Sequence, residues 1–315
     1  MKFFTTAVAL AATLSAAYAQ NGYKGFNSGS TFSNGQNKQQ VDFAYEMRAA
    51  QQLPGTNGAW TSMRLYTMIQ GGTTNTPISA IPAAIETKST LLLGLWASAP
   101  ADQFQNEVTA LTNAINQYGT AFTDLVTGIS VGSEDLYRNS VNEVGASPQQ
   151  IVDYVSKVRS AIAGTSLAGK PVGHVDTWNA FTNSANSAVI SAIDFLGMDA
   201  YPYYQTSEPG GNGIGNANAT FWKSYTATQA VAQGKPVWVT ETGWPIIGDT
   251  LGQAVAGTDN AEVYWKETIC GFTAKGINMY YFQLQSAQGQ QVNPDWGIKP
   301  AGDVVQEPVR FDVSC

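Results

Sequence analysis

Histidine, cysteine and charge are the scarce materials of this 315-residue chain. The one histidine, His174, excludes a histidine cluster for a transition metal. A Ser-His-Asp triad would have to use His174, which lies inside an apolar, strand-like run. With two cysteines, Cys270 and Cys315, four-thiolate metal patterns are excluded as well. In an oxidising compartment two cysteines most simply form one disulfide. Lysine and arginine number 16 against 23 acidic residues, for a net charge of −7. Such a chain lacks the basic patch that phosphate binding needs, so nucleic acid is not an expected partner. Charged residues make up 12%, about half the roughly 25% usual in soluble domains. The polar surface must therefore come from Ser, Thr, Asn, Gln and Gly. Hydrophobic residues reach 43%, which excludes intrinsic disorder. No cofactor motif is present either. Gly211, Gly213 and Gly215 do not form a tight turn between strand and helix, as a dinucleotide fingerprint requires.

Long apolar runs are missing beyond the N-terminus. Lys2, the apolar stretch from Phe3 to Leu14 and the small-x-small site Ala17-Tyr18-Ala19 read as a secretory signal peptide over residues 1–19. That run is too short and wrongly flanked for a membrane span. Cleavage would leave residues 20–315 as one domain, expected to be a secreted, monomeric protein of the extracellular space or cell wall with no membrane partner. Asn218-Ala219-Thr220 is the one sequon and offers a glycosylation site at Asn218.

What the chain does have is a repeating alternation. Short runs rich in Val, Leu, Ile, Phe and Tyr occur at Tyr23 to Gly29, Ser62 to Met68, Leu91 to Ala97 and Leu125 to Gly132. Four more follow, at Pro171 to Asp176, Ile193 to Asp199, Val237 to Glu241 and Ile277 to Leu284. Mostly continuous apolar runs are the pattern of parallel strands covered on both faces. Between them lie helical stripes. Phe104, Val108, Leu111, Ile115 and Tyr118 share one face, and Ser147-Pro148-Gln149-Gln150 opens the next helix as a capping box. Eight strands separated by helices predict an α/β fold, the (β/α)8 TIM barrel, with a doubly wound open sheet as the alternative. The segment after the eighth strand has little helical periodicity. The barrel's last helix is therefore expected to be short or missing, with a Cys270–Cys315 disulfide stapling the tail to the helix after strand seven.

In a barrel of this kind the reacting groups stand at the C-terminal ends of strands. Glu134 and Asp135 end the fourth strand, Asp176 the fifth, Asp199 the sixth and Glu241 the seventh. Two glutamates facing each other across a barrel mouth can serve as the protonated and ionised carboxyls that acetal cleavage needs. Asp135 is expected to point away, because neighbouring strand residues face opposite sides. Aromatic residues gather at the same ends: Trp178, then Tyr201, Tyr203 and Tyr204, then Trp244. Flat sugar faces stack on such side chains while amides and hydroxyls reach the sugar oxygens.

These residues carry a resemblance. Val131-Gly132-Ser133-Glu134, Thr240-Glu241-Thr242-Gly243-Trp244-Pro245 and Arg64-Leu65-Tyr66 resemble the fungal branch of glycoside hydrolase family 17, as do Asp199-Ala200-Tyr201-Pro202-Tyr203 and Trp296-Gly297. That branch comprises secreted β-1,3-glucanases and β-1,3-glucanosyltransferases. The resemblance implies a barrel with the acid/base at Glu134 and the nucleophile at Glu241, acting on β-1,3-glucan without a metal or other cofactor. Tyr201 is expected to hydrogen-bond the nucleophile and Ser133 a sugar hydroxyl. Arg64, Tyr66, Asp176, Trp178, Asp199, Tyr203, Trp244 and Gln283 complete the expected substrate-binding set. One stretch departs from the family pattern. Gln283-Leu284-Gln285-Ser286-Ala287-Gln288 stands where an acidic or amide residue, then Glu, then a nearby Lys are usual. Two other readings stay open at this point: a barrel β-glycanase for another polysaccharide, such as mannan or galactan, and a catalytically weak wall-binding protein.

Overall fold

The computed structural model describes residues 22–98, 100–286 and 292–315. The signal-peptide reading of residues 1–19, and Ala287 and Gln288 of the divergent stretch, lie outside the described residues. The apolar runs become eight parallel strands: β1 (Lys24–Ser28), β2 (Ser62–Leu65), β3 (Thr90–Leu95), β4 (Val126–Ser133), β5 (Val172–Thr177), β6 (Leu196–Asp199), β7 (Val237–Glu241) and β8 (Met279–Tyr281). They pair in chain order, and β8 returns to β1 through Lys24↔Met279 and Phe26↔Tyr281. That pairing closes the barrel and excludes the open sheet.

Inside, Leu92, Phe195, Trp238 and Tyr280 form a small cluster of their own, with Phe195 and Trp238 stacked at 4.1 Å. Gly173 makes room for it, since a Cβ there would lie 2.5 Å from the Phe195 ring. Outside, helices cover the strands with the stripes their sequences show. Ala101–Tyr118 buries Phe104, Val108 and Leu111. Pro148–Ile162 starts at a Ser147–Gln150 capping box and buries Ile151, Tyr154, Val155, Val158 and Ile162.

Several expected strands run too long at their C-terminal ends. β2 stops at Leu65 rather than Met68, and β8 at Tyr281 rather than Leu284. At those points the backbone leaves the sheet to serve the barrel mouth: the Met68 N–H donates to Glu107, and the Gln283 N–H to the Trp296 carbonyl. No helix follows β8 among the described residues. An irregular tail takes that place, fastened by the Cys270–Cys315 disulfide, by Trp265 Nε1 on the Val313 carbonyl at 2.9 Å and by Lys266 on Asp312 at 2.8 Å.

Candidate active site

Glu241 is the last residue of β7, where rigid sheet gives way to the mouth. Three donors converge on its carboxylate. Arg64 Nη1 and the Tyr66 hydroxyl each reach Oε1 at 2.7 Å, and the Tyr201 hydroxyl reaches Oε2 at 2.8 Å. Arg64, from β2, is 1% exposed and is itself braced by Asn27 Oδ1 at 2.8 Å and Ser133 Oγ at 2.9 Å. Burial opposes its charge, but the carboxylate beside it more than compensates and holds it cationic. Burial, then the charge of Glu241, pushes the Tyr66 and Tyr201 hydroxyls well above the usual phenol range, so both stay protonated donors.

Glu134 sits differently. β4 ends at Ser133, and Glu134 itself turns into the left-handed region at φ 58° before the short helix Asp135–Ser140 begins. This turn, not strand alternation, separates Glu134 from Asp135. Asp135 is buried, accepting from the Ser133 N–H at 2.7 Å and from Ser98 Oγ at 2.6 Å. Asp176 caps the helix from β5, accepting from the N–H groups of Leu136 and Tyr137, while His174 bridges Asp176 to the Val131 carbonyl. The Glu134 side chain keeps 22% of its surface exposed and, among the described residues, meets one side-chain partner, Arg138 at 3.2 Å. Burial, then the charge of Glu241, raises its carboxyl to about 7, with Arg138 pulling the other way.

Carboxylate oxygens of Glu134, Asp199 and Glu241 lie within 4.8 Å of one another. Asp199, on β6, accepts from Thr240 Oγ1 at 2.6 Å, and its Oδ2 has no partner among the described residues. Burial, then the charge of Glu241, pushes its carboxyl well above the usual carboxylate range. This is the one cluster among the described residues close enough to hold a cation, yet both Glu241 oxygens already have donors. Glu134 and Asp199, whose proton affinity is raised, are equipped to hold and pass protons.

A cleft of about 800 Å³ opens over the pair on the β5–β7 side. Of the residues singled out from sequence, Glu134, Trp178, Asp199, Tyr201 and Glu241 line it. Arg64, Tyr66 and Ser133 belong to the network beneath, where Ser133 Oγ accepts from Arg64. Four expectations need correction. Trp244 is fully buried, its indole N–H on the Val255 carbonyl and its ring against Tyr203 and Tyr264. Tyr203 is 2% exposed and donates to the Asp249 carbonyl. Asp176 is the buried helix cap just described. Gln283 pairs with Ser286 Oγ beside the cleft rather than in its wall. The sequon also sits unexpectedly, inside the helix Ile214–Val231 with Thr220 buried.

The expected substrate-binding set omits Trp296 and also Tyr204, although Tyr204 stands among the strand-end aromatics. Pro202 opens a 3₁₀ turn that buries Tyr203 and leaves Tyr204 half exposed in the cleft wall. Trp296 packs edge-on against Tyr201 at 5.1 Å, and only its Trp-Gly motif hinted at a role.

Residues 29–297 match the BtgE/BtgC glycoside hydrolase domain. The chain is 52% identical to a probable glucan endo-1,3-beta-glucosidase, eglC, of Aspergillus fumigatus, over 99% of this chain and 69% of that protein. It is 30% identical to the glucan 1,3-beta-glucosidase of Saccharomyces cerevisiae, with both chains covered in full at 100%. The fold is shared with the glycoside hydrolase family 17 beta-1,3-glucanosyltransferase of Rhizomucor miehei, at a TM-score of 0.74 and 23% identity over 94% of this chain and 99% of that one. The chain therefore belongs to the BtgE/BtgC glycoside hydrolase family and is a glycoside hydrolase.

Proposed function

We propose that the protein is a retaining endo-β-1,3-glucan hydrolase of the extracellular space or cell wall, with Glu241 as nucleophile and Glu134 as acid/base. The observation that carries this is the separation of the two carboxyls, whose oxygens approach within 4.8 Å. Retaining enzymes hold the pair about 5–5.5 Å apart, whereas inverting ones need about 6.5–9.5 Å to admit a water. Surroundings support the division of roles. Arg64 and Tyr66 hold Oε1 of Glu241 and, among the described residues, only Tyr201 hydrogen-bonds Oε2, which makes Oε2 the freer oxygen for attack on the anomeric carbon.

In the first step that oxygen bonds to the anomeric carbon while the glycosidic C–O bond breaks. Glu134 gives its proton to the departing sugar oxygen. In the second step the now ionised Glu134 takes a proton from water, whose oxygen displaces Glu241 and restores the starting enzyme. A sugar hydroxyl in place of water yields a longer chain, and the aromatic walls of the cleft favour holding such an acceptor. The names of the relatives support β-1,3-glucan as substrate.

Time-resolved product profiling on laminarin tests the reading. The first products should be shorter oligosaccharides in the β configuration, joined at high oligosaccharide concentration by products longer than the starting sugar. Initial α products would overturn retention. Cleavage of mannan or galactan but not laminarin would move the substrate, and binding to insoluble glucan without product release would remove the catalytic claim.

A further inference from the structure

The reaction above gives no task to the chain's single histidine. His174 lies on β5, fully buried, with both ring nitrogens engaged. Nδ1 stands 2.6 Å from the Val131 carbonyl of β4, and Nε2 stands 3.0 Å from Asp176 Oδ2. A carbonyl only accepts, so Nδ1 carries a proton. The Asp176 carboxylate also accepts from the N–H groups of Leu136, Tyr137 and Thr177, at 2.8, 3.2 and 2.8 Å. Three backbone donors stabilise its ionised form, so Nε2 faces an acceptor as well. A ring that donates from both nitrogens is the imidazolium. Burial opposes that charge, but Asp176, then Asp135 and the Val131 carbonyl, outweigh it and push the imidazole above its usual range. The remaining neighbour is the Phe181 ring, edge-on at 6.1 Å from the helix Trp178–Thr182.

The sheet explains what this ring is for. β4 and β5 pair through Ser130↔Gly173 and then Ser133↔Val175, three steps on one strand against two on the other. The extra residue is a β-bulge, which bends a strand and re-aims its side chains. Within the bulge the Val131 carbonyl meets the imidazole. His174 and Asp176, two apart on β5, share a face of the strand. The first spans the bulge, and the second reaches past the strand end to the helix Asp135–Ser140.

Between those two anchors lies Glu134, in a backbone region uncommon for a residue with a Cβ. Its N–H donates to the Val175 carbonyl of β5 at 3.0 Å. Asp135 closes the turn through the Ser133 N–H, and Gly132 leaves it room: a Cβ there would lie 2.0 Å from Asp135 Oδ2. A left-handed residue persists only where its surroundings hold it. We propose that His174 is a positioning residue for the acid/base: as a buried imidazolium it ties the bulge of β4 to the carboxylate that caps the next helix, and so holds the turn that aims Glu134 at the departing sugar oxygen. This rests on the role of Glu134 proposed above.

Two measurements test it. As the only histidine, His174 gives tag-free protein labelled with 15N-histidine a single set of ring signals. Both nitrogens should read as protonated from about pH 5 to 8, the range over which a free imidazole loses its charge. An unprotonated ring nitrogen at neutral pH overturns the imidazolium bridge. The second measurement compares His174→Phe and His174→Gln with wild type on two substrates. Laminari-oligosaccharides have a leaving sugar that needs a proton; an aryl β-glycoside with a good leaving group does not. On each, kcat/KM follows the first bond cleavage. His174→Phe should lose about 10- to 100-fold on the oligosaccharides and stay within about threefold on the aryl glycoside. His174→Gln, whose amide still donates to Asp176, should lose less. If His174→Phe does not fold, His174→Gln and Asp176→Asn carry the same comparison. A loss as large on the aryl glycoside as on the oligosaccharides, or no loss on either, overturns the positioning role and leaves the reaction in place. Wild type that releases no product from the oligosaccharides overturns the proposed function, and this role with it.

Discussion

At the end of β7 a glutamate meets an arginine and two tyrosine hydroxyls; at the end of β4 the same residue type meets one half-exposed arginine on a short helix. The two carboxyls are near neighbours, so the difference lies in what each strand end delivers. β7 delivers its glutamate from regular sheet into a ring of donors that stabilise the anion. β4 delivers its glutamate on a left-handed turn into a site where burial and the neighbouring charge favour the proton. One setting rings a carboxyl with donors, the other favours the proton. The local scaffold, more than the residue type, sets the chemistry.

Removing each glutamate should break that comparison most sharply. Glu241→Ala should abolish turnover of ordinary substrates, and added azide should give a product of inverted configuration. Glu134→Ala should lose laminarin cleavage but keep activity on aryl glycosides with good leaving groups, and azide should then give a product of retained configuration. Proton NMR of the azide products reads the outcome. The reverse pattern would exchange the roles, and near-normal laminarin cleavage by either variant would remove that residue from catalysis.

The donor ring is the next place to press. Arg64→Met leaves Glu241 without its cation in a buried setting, which should cost about 3–5 kcal/mol of stability and most of the activity. Urea unfolding and laminarin turnover measure both, and an unchanged midpoint would show that the Arg64–Glu241 pair contributes little. Tyr201→Phe removes one hydrogen bond to a charged group, about 1.5–3 kcal/mol, and should lower stability by up to that amount and kcat some 10- to 100-fold. A kcat within twofold of wild type would mean that the Tyr201 contact does not matter to the reaction.

Sequence periodicity alone reveals much of this. Continuous apolar runs and the stripe from Phe104 to Tyr118 give the barrel, and strand-end carboxylates bring Glu134, Asp199 and Glu241 to one mouth. The aromatics are harder, because a residue beyond a strand can turn either outward or back under the barrel. Trp244 and Tyr203 turn back, while Tyr204 and Trp296 face the cleft, and nothing in their local spacing separates these cases. Asp176 is misleading for a related reason. It stands at a strand end as a catalytic carboxylate would, but the N–H groups it accepts from belong to a helix that follows a different strand. Only the pairing of β4 with β5 brings them together.

The finest test of the contrast lies in Arg138, the partner that holds the Glu134 carboxyl down while burial and Glu241 raise it to about 7. As the acid, Glu134 works protonated, so hydrolysis of laminarin should fall as pH rises through about 7. Deleting the cation with Arg138→Ala removes the opposing influence and raises the carboxyl further, so the alkaline limb should move to higher pH. The pair is partly exposed and its attraction is worth about 0.2–1 kcal/mol, which translates to roughly 0.2–0.7 pH unit. Salt screens exposed pairs, so the gap between variant and wild type should narrow from low to high ionic strength. Profiles of kcat/KM at both ionic strengths measure the shift. A limb that stays put, or moves to lower pH, would mean that the proton lost there does not belong to Glu134.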